Sequence, residues 1–120
     1  MVKMVWEPEE LKLIEQVKGE IELPKNNIEE VFYKLYKIRP EIYHMKRIII
    51  GLALIDPRQY FFSIERDGKY QRETLNLVDS NSVWSMEITN SFNGHSIKEV
   101  LVENLGLDTE TAAEVVMRAR

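Results

Sequence analysis

Lys46-Arg47-Ile48-Ile49-Ile50-Gly51-Leu52-Ala53-Leu54-Ile55 decides the fold class of this 120-residue chain. The run is almost wholly apolar from Ile48 onward, so neither the helical period nor strand alternation is visible in it. Read as a helix, it continues from Pro40, and Ile42, Met45, Ile49 and Leu52 form the inner face. Gly51 then weakens that helix, at roughly 1 kcal/mol relative to alanine, or marks its end. Read as a buried strand, it makes the chain a four-stranded antiparallel meander with helices on one face. Both α+β architectures remain open at this stage.

Upstream of the run, Pro8 suits the first position of a helix, with Glu9 and Glu10 at the positive end of its dipole. Leu11, Ile14 and Val17 supply its apolar stripe, and Gly19 ends it. Ile21-Glu22-Leu23 reads as a brief strand before Pro24. Asn27 with Glu30 has capping-box spacing, and Ile28, Val31, Phe32 and Leu35 give a second helix its inner face. Downstream, Tyr60 to Glu65 reads as a strand. Asp67-Gly68 is a hairpin signal, and Tyr70 to Val78 is the return strand. Val83 to Thr89 alternates Trp84, Met86 and Ile88 on one face. Ser96 with Glu99 opens a further helix that Gly106 ends, and Asp108 caps a last helix containing Ala112, Val115 and Val116.

The charges are unevenly spread. Residues 34 to 72 carry nine basic and four acidic side chains, a balance of +5. Residues 1 to 33 stand at −4 and residues 73 to 120 at −5, which restores the −4 of the whole chain. A localised basic patch, more than net charge, is what meets a polyanion. The 44% hydrophobic content is enough for a core, and the absence of cysteine excludes disulfides and thiolate metal sites. There is no signal-peptide h-region, and no apolar run is long enough to span a bilayer, so a soluble, cytoplasmic protein without membrane attachment is expected. One domain over residues 1–120 is expected, with residues 8–78 as one part and residues 82–120 as a strand and helical extension.

The order helix, short strand, helix, helix, strand, turn, strand over residues 8–78 resembles a winged helix-turn-helix domain. Ile28-Glu29-Glu30-Val31, Leu35, Ile38, Ile42, Lys46 to Ile49, Leu52 and the hairpin Ile64 to Tyr70 carry the resemblance. It implies a recognition helix in the major groove of double-stranded DNA and a hairpin wing on the backbone. On that footing Arg39 and Arg47 are base readers, because guanidinium bonds guanine O6 and N7 together. Lys34, Lys37 and Lys46 hold phosphates, with Tyr43 and His44 on the same outer side of the helix. Arg66, Lys69 and Arg72 in the wing touch backbone. The implied function is that of a small DNA-binding transcriptional regulator.

Leu101 to Ala112 has helix-turn-helix spacing too, and it resembles the two-helix start of a ubiquitin-associated domain. Its Asp108, Glu110 and Glu114 would repel phosphates, so self-association through residues 97–119 into a homodimer is the expectation there. No catalytic constellation or cofactor motif stands out. His44 and His95 lack ligand spacing, and Ser96 is accounted for as a cap. The alternative reading is a non-catalytic protein-interaction module, an inhibitor, immunity or adaptor protein, using exposed aromatics such as Tyr33, Tyr36 and Trp84.

Overall fold

The structure, a computed structural model, describes residues 4–18, 28–55, 60–69, 72–79, 85–89 and 96–119. Among them are five helices and one antiparallel sheet: α1 (Pro8–Lys18), α2 (Ile28–Ile38), α3 (Ile42–Ile55), β1 (Tyr60–Asp67), β2 (Arg72–Asp79), β3 (Ser85–Thr89), α4 (Ile97–Glu103) and α5 (Thr109–Ala119). The expected strand at residues 21–23 and the caps at Gly19 and Asn27 lie outside the described residues, as does Trp84.

The deciding run is helical. The four-stranded meander is therefore corrected to three strands in the order β1-β2-β3. Residues 47–54 of α3 are all buried, which is why no period shows in their sequence: a helix enclosed on every side has no polar stripe. Gly51 lies inside α3, not at its end. Its missing side chain has a cause, because a Cβ there would collide with the Trp6 indole and stand 2.9 Å from Met4 Sδ. The segment before α1 is thus laid directly on the α3 backbone.

Two inner faces differ from expectation. In α1 the buried positions are Glu10, Leu13 and Val17, while Leu11 is exposed. The helix is turned so that a carboxylate, rather than a leucine, faces inward. In α3, Ile42 stands out in solvent while Ile49 and Leu52 are buried.

The sheet register places Phe62, Leu77 and Met86 in one row and Ile64, Leu75 and Ile88 in the next, all on the core side. Ser63, Glu65, Glu87 and Thr89 alternate outward. At the hairpin, Asp67 pairs with Arg72, and Asp67 Oδ1 accepts the Lys69 amide at 3.0 Å, so Asp-Gly marks the turn as its chemistry requires.

The last two helices are set by local chemistry. Ser96 Oγ accepts the Glu99 amide at 3.2 Å. Asp108 accepts both the amide and the hydroxyl of Thr111, at 3.1 and 2.6 Å. Gly106, at φ +62, makes the turn between them. Ile97, Leu101, Ala112 and Val115 join the same apolar cluster as Leu35, Ile48 and Leu75, so α4 and α5 share a core with the described parts of the preceding helices and sheet. Among the described residues no helix is long and apolar enough to cross a membrane.

Candidate functional site

Glu7, immediately before Pro8, takes the N-cap position of α1. Glu10, three residues on, reaches back so that its Oε1 accepts the Glu7 amide at 2.8 Å, half of a capping box. That leaves Oε2 aimed at α3. There Arg47 Nε donates to it at 2.6 Å, with Glu10 at 0% and Arg47 at 2% exposure. The same guanidinium donates Nη1 to Leu105 O at 2.7 Å and Nη2 to Val5 O at 2.8 Å. One turn earlier, Tyr43 donates its hydroxyl to Glu7 Oε1 at 2.8 Å, and its ring centroid lies 5.6 Å from the Arg47 guanidinium carbon. His44 Nδ1 stands 3.5 Å from both Glu7 Oε2 and Glu10 Oε2.

The electrostatics follow. Burial works against the Arg47 charge, but the hydrogen bond and charge of Glu10, aided by Glu7, outweigh it and hold the guanidinium above its ordinary range. The bond donated to Glu7, followed by burial, pushes the Tyr43 phenol above its usual value. Ligand atoms of Glu7, Glu10 and His44 all lie within 4.8 Å of one another, close enough for a cation. A permanently charged guanidinium already stands among them and forks to three acceptors. The cluster is a clamp that ties the N-terminal segment, α1, α3 and the α4–α5 turn together.

This overturns the outward placement of part of the expected nucleic-acid surface. Arg47, expected as a base reader, is buried and committed to Glu10, Leu105 and Val5. Tyr43 and His44 are turned toward the same carboxylates. The face rule failed because it weighed only the apolar residues of α3.

The remaining expected residues fall into three groups, at a groove, on α2 and at the hairpin tip. Arg39 and Lys46 line an open groove with Phe32, Tyr36, Pro40, Ile42, Met45 and Met86, about 490 Å³ in volume. It lies between α2, the start of α3 and β3. Lys37 is exposed in the last turn of α2, and Lys34 is half-buried. Tyr36 and Ile42 are 66% and 67% exposed, and Phe32 stacks on Tyr36 with centroids 6.5 Å apart. Arg66, Lys69 and Arg72 gather instead at the hairpin tip, where Arg66 pairs with Glu73 at 3.7 Å. Arg72 is five residues before Leu77, the partner of the groove residue Met86. At strand rise that is roughly 17 Å along the sheet.

Sequence reading missed Glu7 and Glu10 as structural partners, having assigned Glu10 to the helix dipole. It also missed the groove as a unit. The available signal was the excess of large apolar side chains on α2, where Phe32, Tyr33, Tyr36 and Ile38 outnumber what one buried stripe can use. No family model, no curated protein and no solved structure matches this chain.

Proposed function

We propose that this protein is a non-catalytic interaction module that docks another polypeptide in the groove between α2, α3 and β3. One observation carries the reading: six apolar or aromatic residues from α2, α3, β3 and the α2–α3 turn converge there while Tyr36 and Ile42 stay largely exposed. Leaving an isoleucine in water forgoes about 2 kcal/mol of burial, and contiguous apolar surface of this kind marks interaction sites. The titratable cluster, by contrast, is spent on its own arginine. Ile42→Asp tests the reading, because Ile42 is solvent-facing and the fold does not depend on it. Wild type and variant are compared as baits in a pull-down. Loss of a recovered partner at unchanged Tm is expected, and identical partners for both would sink it.

A second reading, a DNA-binding regulator, retains the motive of the hairpin cations Arg66, Lys69 and Arg72 together with Lys34, Lys37, Arg39 and Lys46. Without Arg47 it loses its central base reader. Binding to duplex DNA should then fall steeply with salt, and a flat or absent response discards it. Self-association through residues 97–119 is a weaker proposal, since the apolar faces of α4 and α5 lie in the common core and Met117 is the large apolar residue left exposed there. A monomer in sedimentation at high protein concentration would dismiss it.

A further inference from the structure

We infer that the groove takes a polypeptide segment carrying large apolar side chains flanked by carboxylates; the inference rests on the docking reading above. Charge complementarity selects this occupant. Arg39 and Lys46 are the charged residues of the lining, and every other lining residue is apolar or aromatic. Among the described residues neither cation has an ion-pair partner, although the chain as a whole is acidic. Lys37 adds an exposed cation in the last turn of α2, and the linking turn carries one exposed carboxylate, Glu41. A segment with acidic flanks completes these charges as its apolar residues enter the groove.

Arg39 sharpens the point. It sits at φ +58, directly after α2, a position where glycine is free of strain. An arginine there costs roughly 1 kcal/mol. What the position gains is a guanidinium at the groove edge, able to grip a carboxylate with two parallel hydrogen bonds.

Two features favour a polypeptide over a small molecule or a single-stranded nucleic acid. Apolar surface continues beyond the groove on α2 through the exposed Tyr33, whose ring meets that of Phe32 at 5.9 Å between centroids, so the complementary surface is extended. Phe32 and Tyr36 stack on each other, and Pro40, Ile42, Met45 and Met86 have no ring face on which a base could stack. The recognition mode is an amphipathic segment lying in a groove.

The test uses the full chain and three labelled probes: an amphipathic leucine/phenylalanine peptide flanked by glutamates, its counterpart with lysines in place of glutamates, and an oligothymidylate. Binding is read by anisotropy, and its place by methyl shifts of Ile42, Met45 and Met86. The glutamate peptide should bind on the order of tenfold more tightly than the lysine peptide, with shifts at those methyls. Arg39→Glu should abolish the preference at unchanged Tm. Lys46→Gln, which removes the charge and keeps a polar side chain, should weaken the glutamate peptide several-fold. Equal affinities at the groove would overturn the charge assignment while leaving docking intact. Absence of groove shifts with either peptide would overturn docking itself. Displacement of the glutamate peptide by oligothymidylate, or concentration-dependent shifts without any probe, would replace the partner with a nucleic acid or with a second copy of this chain.

Discussion

Arg47 Nε stands 2.6 Å from Glu10 Oε2, and neither side chain reaches water to any extent. Breaking such a pair is costlier than never having built it, because the survivor is a buried, uncompensated charge. Arg47→Ala and Glu10→Gln should each lose about 3–5 kcal/mol of stability. Arg47→Lys should also lose well over 1 kcal/mol, since one ammonium cannot span Glu10 Oε2, Leu105 O and Val5 O in the guanidinium's fork. Urea unfolding midpoints measure all three. A loss below about 1 kcal/mol for Arg47→Ala would mean the pair is solvated like a surface bridge.

Gly106 serves the same clamp from the other side. Its φ of +62 strains any L side chain, and a Cβ there would lie 2.5 Å from Tyr43 Oη. Gly106→Ala should therefore cost about 1–2 kcal/mol in backbone strain alone. It should also displace the hydroxyl that donates to Glu7. Thermal unfolding and the near-ultraviolet tyrosine signal would report the two effects separately. A stability equal to wild type would show that this turn is held elsewhere.

What the sequence made legible was local. Ser96 with Glu99, Asp108 as a cap, and Asp67-Gly68 each announce an element from residues at most three apart, and the elements form where those signals place them. The class α+β was legible for the same reason. The fate of residues 46–55 was not, because a helix buried on all sides erases its own period. Arg47 was not legible either. Its partner Glu10 is 37 positions away, and each residue alone had a sufficient local explanation, one as an outward cation and the other as dipole complement. The groove required knowing that β3 brings Met86 beside Met45, which no spacing within α2 or α3 encodes.

Gly51 yields a prediction opposite to ordinary helix propensity. In an exposed helix interior, Gly→Ala gains roughly 1 kcal/mol. Here the new methyl must push aside Trp6, with Cζ2 only 2.8 Å away, and Met4. Gly51→Ala should be destabilising by about 1–3 kcal/mol, as overpacking is, with a red-shifted tryptophan emission as Trp6 leaves α3. A stabilised variant with unchanged emission would place the indole elsewhere.

Asp108 sets part of the acid limit. The Thr111 hydroxyl bond, although opposed by burial, acts with the Thr111 amide and the positive charge of Arg47 to hold the Asp108 carboxyl below its ordinary 3.8. A carboxylate depressed in the folded state stabilises above its unfolded value and loses that contribution as pH falls through its folded one. The effect is therefore present above about pH 4 and disappears below it. Asp108→Asn keeps a good cap but cannot titrate, so its Tm should match wild type at acid pH and differ only slightly near neutrality. Asp108→Ala should lose about 1 kcal/mol throughout, as a lost cap does. Parallel Tm–pH curves for wild type and Asp108→Asn between about pH 5 and pH 2 would refute the assignment.

Arg39 allows folding to be separated from docking. Glycine at this left-handed position removes roughly 1 kcal/mol of strain. It also gives the unfolded chain more freedom, worth about 0.4–1 kcal/mol in the opposite sense. The two nearly cancel, so Arg39→Gly should leave stability within about 0.5 kcal/mol of wild type. The groove, however, loses one of its two lining cations. Affinity for the glutamate-flanked peptide should fall several-fold, while the lysine-flanked peptide binds as before or better. An arginine retained only for folding would give the reverse pattern: altered unfolding midpoints and unaltered peptide affinity. The two measurements on one variant thus decide whether the strained residue serves the turn or the partner.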